Sequence, residues 1–219
     1  IPVGVNGEFQ KIRIGSMHLE EDPASWEPST GYVDYNRSGL PLVEIVTEPD
    51  FTTSAEVVDW LTKLIHNLAY LKCVDSNAGI KVDVNVNIPK KTKRTEIKNL
   101  NSLENIQKAI DFELARHAKE DVNVQETRRY DPAKNKTMLM RSKENAEDYR
   151  FISDPDLQRI VIDKNFIEIE KSKIPESPEV KLEKLIKKHK IDKTSAEVLT
   201  KNVDIADFYE KVIEKVEPA

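Results

Sequence analysis

Two short segments gather side chains that can do chemistry, His18-Leu-Glu-Glu-Asp22 and Glu96-Ile-Lys-Asn-Leu-Asn-Ser102. The first sets three consecutive carboxylates, Glu20, Glu21 and Asp22, close to an imidazole. Hard divalent cations take oxygen ligands and keep several waters, so one or two such carboxylates can hold one. An acidic triplet is equally an ordinary solvated strand end, and His18 an ordinary hydrogen-bonding histidine. The second segment alternates acid, base and amide just before helical pattern begins. Unpaired N–H groups at a helix N-terminus attract anions. There Asn99, Asn101 and Ser102 can position an anion, Lys98 supplies charge and Glu96 can ligate a metal; the same residues also suit plain helix capping.

A third set lies in Ile80-Lys-Val-Asp-Val-Asn-Val-Asn-Ile88, which alternates without a break. One face is aliphatic and the other carries Lys81, Asp83, Asn85 and Asn87. The pattern predicts an interior strand whose polar face lines a cleft, although a sheet with one wet face alternates without any function. Arg37 lies in Asp34-Tyr-Asn-Arg37, and Arg128, Arg129, Arg141 and Arg150 stand further along. Guanidinium forks suit phosphates and carboxylates, and Asp34, Glu126, Glu144 and Asp148 compete for them as internal partners. Lys181, Lys184, Lys187, Lys188 and Lys190 form a basic run that serves either as a solvated helix face or as a set of phosphate contacts. Trp26 and Trp60 read as packing residues. A Gly-rich phosphate loop, a nucleophile elbow and a CxxC pair are all missing from the sequence, so the chain offers no nucleophile of its own.

The elements that must position these residues follow from local signals. Asn6-Gly7 predicts a tight hairpin turn. Ile12, Ile14, Met17 and Leu19 predict a strand with a bulge at Gly15 that puts His18 and Glu20 on the opposite face. Residues 23–31 read as a loop and Leu42 to Val46 as a short strand closed by Glu48-Pro-Asp50. Thr53-Ser-Ala-Glu56 is a capping box for a helix carrying Val57, Leu61, Leu64, Leu68 and Leu71. Ser102 caps a helix to about His117 with Ile106, Ile110 and Leu114 inward. Strands follow over Val124 to Tyr130, Thr137 to Arg141 and Ile160 to Ile169. Ile174-Pro-Glu-Ser-Pro178 reads as a linker to three short helices, the last capped by Asp204 and carrying Phe208, Val212 and Val216.

Thirty-four basic residues stand against 39 acidic, net −5, so any nucleic-acid partner must be met by a local basic face. Cys73 is the only cysteine, which excludes an internal disulfide and points to a reducing compartment. No apolar run approaches the roughly 20 residues of a membrane span.

Taken in order, His18–Asp22, Val33–Asp50, Glu96–Ser102, Gln125–Arg129, Met140–Arg150 and Asp154–Leu157 resemble the B subunit of the tRNA-dependent amidotransferases, over about residues 9 to 215. The resemblance implies an α+β fold: an open, mostly antiparallel sheet cradle with flanking helices over residues 1–173, then the start of an all-helical domain over 174–219. It implies ATP-dependent phosphorylation of the side-chain carboxylate of Asp-tRNA(Asn) or Glu-tRNA(Gln), followed by amidation with ammonia from a glutaminase subunit, with a small third subunit bracing the pair in the cytoplasm. Glu21 and Glu96 match metal ligands that share one Mg2+. Asp83, Asn85, Lys98, Asn99 and Asn101 match catalytic positions, and Arg37, Lys81, Ser102 and Arg141 positions facing ATP. Three departures stand out. Lys81 replaces the family's arginine, and Pro23-Ala-Ser25 replaces Ala-Gly-Lys. A further metal-binding Glu-x-His and a tRNA-gripping tail are expected beyond Ile1 and Ala219, so the chain alone is expected to be inactive. Two rivals remain: the related subunit of the archaeal Glu-tRNA(Gln)-only enzyme, whose inserted domain does not interrupt residues 48–160 here, and a non-catalytic tRNA-binding or scaffolding piece.

Overall fold

A computed structural model describes residues 1–74, 79–143, 156, 158 and 160–216. The fold is α+β and forms two compact units, Ile1–Trp60 and Leu61–Ala219. The first holds β1 (Pro2–Phe9), β2 (Ile12–Glu21), β3 (Ser25–Glu27), β4 (Tyr32–Asp34), β5 (Pro41–Thr47) and the start of α1 (Ser54–Leu71). Strands β1, β2 and β5 make an antiparallel sheet in the order β1-β2-β5, and β3 with β4 makes a separate two-stranded ribbon.

The β1–β2 turn is made by Gln10 and Lys11, both with positive φ (49° and 67°), between the paired Phe9 and Ile12. Asn6-Gly7 was the expected turn; Asn6 does take a positive φ of 56°, but inside β1. The bulge expected at Gly15 is present. Ile14 pairs with Thr47 and Ser16 with Val46, leaving Gly15 as the extra residue. Glu48 and Asp50 follow β5, and Asp50 is gripped by the backbone N–H and guanidinium of Arg13. Those bonds hold its carboxyl down at about 2. The capping box is reciprocal: Glu56 N–H donates to Thr53 Oγ1 at 3.2 Å, and Thr53 N–H to Glu56 Oε2 at 3.1 Å. Trp60 is buried, edge-on to Phe9 and Phe51, and donates its indole N–H to Phe9 O at 2.8 Å. Trp26 is not a packing residue, being 65% exposed on β3.

The second unit is built on β6 (Val82–Val86), β7 (Thr95–Leu100), β8 (Gln125–Asp131) and β9 (Lys136–Lys143), in the order β6-β7-β8-β9. The pairs are antiparallel except β7 with β8, which run parallel across the crossover helix α2 (Leu103–Lys119). Among the described residues β6 is therefore an edge strand, not an interior one, and shorter than the alternation suggests. Ser102 caps α2 as expected, its hydroxyl accepting from Asn105 N–H at 3.2 Å.

The inward face of α2 is only half apolar. Ile106, Ala109 and Ile110 are buried, but so are Glu113 and His117, at 0% exposure, while Leu114 is half-exposed. Glu113 accepts from Arg116 Nε (2.9 Å) and from Thr137 Oγ1, and lies 3.2 Å from Arg128 Nε. Arg116 and Arg128 also pair with Glu126, at 2.8 and 3.1 Å. His117 bonds Thr92 through Nδ1 (2.7 Å) and Thr95 through Nε2 (2.9 Å).

The strand expected over Ile160 to Ile169 is instead helix α3 (Lys164–Lys173), capped by Asp163, whose carboxylate accepts from Phe166 N–H at 2.7 Å. Its Glu168–Lys171 and Glu170–Lys173 pairs stand three apart, as on a helix surface. Helices α4 (Pro178–Lys187), α5 (Lys193–Leu199) and α6 (Val203–Ile213) follow. Asn202 caps α6, not Asp204. Thr200 O accepts from both His66 and Tyr70 of α1, and burial pushes the Tyr70 phenol up to about 12. Among the described residues no helix is long and apolar enough to cross a membrane.

Burial, together with the Arg116 charge, holds the His117 imidazole below its ordinary 6.5, against the opposite pull of Glu113 and Glu126. The folded state therefore disfavours its protonation. This contribution is fully present above the unfolded value and is lost as pH falls below about 6.5 through the folded value. Urea midpoints are expected to drop between pH 7.5 and 5, and His117→Asn to flatten that drop while lowering stability throughout; equal slopes in both proteins would refute the assignment. Glu113→Ala, which strands two guanidinium groups, is expected to cost about 3–5 kcal/mol by the same measurement. A midpoint near that of wild type would mean the network carries little.

Candidate active site

The face of the four-stranded sheet turned away from α2 is set by strand alternation. Thr95 and Ile97 are buried on the helix side, so Glu96 and Lys98 stand on the other. Cross-strand register then lines up one row over all four strands: Asn85 opposite Glu96, Glu96 opposite Thr127, and Thr127 opposite Arg141. Beside that row stand Asp83, Lys98 and Arg129, with Lys98 opposite Arg129. A bulge in β7 sharpens the arrangement. Val82 pairs with Leu100 and Val84 with Ile97, so Lys98 and Asn99 together oppose Asp83.

Lys98 Nζ sits 2.9 Å from Asp83 Oδ2 and 3.0 Å from Glu96 Oε1. Partial burial works against its charge, but hydrogen bonds and attraction from both carboxylates outweigh that and raise the ammonium above its ordinary value. Glu96 Oε2 accepts in addition from the buried Thr127 hydroxyl at 3.1 Å. Asp83 and Glu96 are thus brought together around one cationic group. Like charges directly opposite on neighbouring strands repel, and Lys98 is engaged toward β6, which leaves Arg129 exposed. Neither Arg129 nor Arg141 pairs with a carboxylate among the described residues, whereas Arg128 is taken up by Glu113 and Glu126 behind the sheet. The face therefore divides its charge: carboxylates on β6 and β7, and on β8 and β9 guanidinium groups with no carboxylate partner among the described residues. Oxygen donors on one side suit a hard divalent cation, and forks on the other suit phosphate.

The remaining expected residues fall nearby or elsewhere. Asn101 and Ser102 are exposed between β7 and α2, Ser102 already spent on the cap; Lys81 is exposed just before β6. The Asn99 side chain and Arg150 lie outside the described residues. Arg37 belongs to the first unit, bonded by Nε to Asp22 Oδ2 at 2.7 Å. Glu21 belongs there too, exposed at the end of β2 opposite Pro41. In that unit the gathered ligands are His18, Glu20 and Glu44, whose donor atoms all lie within 4.8 Å of one another. His18 Nδ1 is 3.0 Å from Glu44 Oε2. From sequence, Glu44 and Thr127 carry no role, while Glu20 stands out only as one of the acidic triplet and Arg129 only as one of several guanidinium forks. Glu44 could have been found, since it sits among alternating Leu42 and Val46 where an apolar side chain is the easier choice. Thr127 needed the parallel register.

The sequence model described as GatB/GatE catalytic domain matches residues 1–168. Relatives named as the B subunit of aspartyl/glutamyl-tRNA(Asn/Gln) amidotransferase match nearly end to end. The protein of Methanopyrus kandleri is 42% identical over 221 residues, 98% of this chain and 47% of the relative. That of Methanothermobacter thermautotrophicus is 41% identical over 222 residues, 100% of this chain and 49% of its own length. That of Finegoldia magna is 40% identical over 220 residues, 94% of this chain and 46% of its own. The chain spans about half the length of the curated relatives it matches. Acids, amides and guanidinium groups brought to one sheet face thus come with a match over most of the chain, and the chain belongs to the GatB/GatE catalytic domain family.

Proposed function

We propose that this chain is the catalytic part of the B subunit of an aspartyl/glutamyl-tRNA amidotransferase. The side-chain carboxylate of Asp-tRNA(Asn) or Glu-tRNA(Gln) attacks the γ-phosphorus of ATP and ADP leaves, giving an acyl phosphate. Ammonia then attacks the acyl carbon, phosphate leaves, and the amide remains after loss of a proton. The observation that carries this reading is the divided charge of the sheet face, Asp83 and Glu96 against Arg129 and Arg141. Phosphoryl transfer depends on positioning and charge neutralisation more than on a nucleophile from the protein. Arg141 and Lys81 would meet the phosphates; Asn85, Asn99 and Asn101 would orient the carboxylate by hydrogen bonds; Lys98 would hold Asp83 and Glu96 in place. Ammonia would come from a glutaminase subunit, with a small bracing subunit completing the assembly.

Mg2+ fits the donor chemistry. On the sheet face of the second unit Glu96 offers a hard oxygen; within the first unit, taken by itself, Glu21 and the His18, Glu20 and Glu44 group offer carboxylates. When bound, it would supply neutralisation of phosphate charge.

Three outcomes follow, the first two read with the full-length protein in its assembled enzyme. Glu96→Gln and Glu21→Gln should each lower tRNA-dependent phosphate release by at least the roughly 10–100-fold that supporting residues of a metal site cost, with the loss partly recovered at high Mg2+; a wild-type Mg2+ titration would remove that residue from the site. Asp83→Asn should cut amidation while leaving the melting temperature nearly unchanged, and full activity would show that Asp83 only packs. Residues 1–219 alone should release no phosphate from ATP with aminoacyl-tRNA and Mg2+, and turnover equal to the complete assembly would overturn the placement of the site across the larger protein.

A further inference from the structure

The turn between β6 and β7 reads Ile88-Pro-Lys-Lys-Thr-Lys-Arg94, four cations in five residues within a chain of net charge −5. These cations differ from the better-paired lysines of the C-terminal helices. Along the Lys181 to Lys190 run, Lys181 is buried between Asp207 (2.8 Å) and Glu210 (2.7 Å), Lys184 reaches Glu176 and Glu210, and Lys187 pairs with Glu183. Three of the five lysines of that run are thus paired with carboxylates. In the β6–β7 turn, Lys91 Nζ is used to cap the end of α2, donating to Ala118 O at 2.9 Å. Lys90, Lys93 and Arg94 are exposed, and no carboxylate among the described residues pairs with them.

The turn is also held rigidly. Ile88 N–H donates to Thr92 Oγ1 at 2.8 Å, Thr92 N–H returns to Ile88 O at 3.0 Å, and Lys93 N–H donates to Val122 O at 2.7 Å. Thr92 Oγ1 is tied to the buried His117. Lys90 has a φ of 62°, a conformation that costs an L-residue roughly 1–2 kcal/mol and that glycine would take freely. Arg94 O accepts from Glu126 N–H at 3.2 Å, so it extends the β7–β8 ladder, and alternation places it on the Glu96 side of the sheet.

We infer that Lys90, Lys93 and Arg94 form a preorganised contact for the phosphodiester backbone of an RNA, which leads its acceptor end toward the face bearing Glu96 and Lys98. A polyanion is the partner that three cations with no carboxylate partner among the described residues would recognise on a fixed turn, and its identity as tRNA rests on the function proposed above. Each lysine or arginine that neutralises a phosphate releases counterions, so binding weakens steeply as salt rises.

The test measures binding of an end-labelled tRNA transcript to this chain by fluorescence anisotropy, from about 20 to about 200 mM KCl. Lys90→Ala, Lys93→Ala and Arg94→Ala combined should lose about tenfold or more in affinity at low salt, and the slope of log K against log salt should shrink by roughly 2–3. A charge-matched control, Lys171→Ala, Lys173→Ala and Lys187→Ala, removes lysines that are paired on their own helices and should leave both quantities unchanged. Circular dichroism checks that both variants fold. If wild type binds and the turn variant binds equally, the turn is not the contact while the tRNA reading stands. Equal losses in both variants would show a net-charge effect and overturn the proposal. Absence of wild-type binding at low salt would overturn the proposal, while the substrate reading is decided separately by tRNA-dependent phosphate release in the assembled enzyme.

Discussion

Glu113 places a carboxylate at 0% exposure between α2 and the sheet, where Arg116, Arg128 and Thr137 converge on it. A charge so placed is tolerable only when fully paired, and breaking such a pair is costly. The consequence is geometric. Arg128 belongs to β8, Thr137 to β9 and Arg116 to α2, and Arg116 reaches Thr95 of β7 at 3.1 Å. One cluster thus fixes three strands against one helix. A slip of one residue in β7 or β8 would turn a strand's whole side-chain set to the other face, exposing Thr95 and Ile97 and burying Glu96 and Lys98. The polar cluster behind the sheet thereby selects which side chains form the candidate site in front of it.

The two faces use charge in opposite ways. Behind the sheet, Glu113, Glu126, Arg116 and Arg128 neutralise one another. In front, pairing stops part-way. Lys98 serves Asp83 and Glu96, while Arg129 and Arg141 have no carboxylate partner among the described residues. Incomplete pairing costs stability only where a group is desolvated, and these arginines are exposed, so their readiness for an anion is cheap to maintain.

Elements with local chemical signatures were legible in the sequence. The Thr53–Glu56 capping box, the Ser102 cap and the Gly15 bulge each follow from side chains within a few residues. Errors arose where a non-local choice decided. Asn6-Gly7 is the better turn dipeptide, yet Gln10-Lys11 turns, because pairing of β1 with β2 puts Phe9 opposite Ile12. Ile160 to Ile169 alternates enough to read as a strand, but the Asp163 cap and two pairs of charges three apart favour a helix. At the site, Glu96, Lys98, Asp83 and Asn85 were legible from spacing and resemblance. Thr127 was not, and Arg129 was legible only as one of several guanidinium forks, because their place depends on a parallel register across a helix. Glu113 and His117 were hidden for a related reason: helical periodicity marks Leu114 as inward, and only the guanidinium groups of other elements make burial of an acid and an imidazole favourable.

His117 connects the two halves of the functional argument. A neutral imidazole has one N–H donor and one acceptor nitrogen, and a threonine hydroxyl can serve either. Bonds from its two nitrogens to Thr92 and Thr95 are therefore both satisfied without protonation, in keeping with a pKa held low by burial. Thr92 lies in the basic turn and Thr95 is the residue before Glu96. One buried ring thus fixes the spacing between the exposed cations of the turn and the carboxylate of the site. A long anionic substrate gripped at the turn would meet Glu96 and Lys98 at a set distance along β7. Since ordering a flexible binding loop costs free energy on each encounter, anchoring the turn to the α2 end would reduce that cost before any substrate arrives.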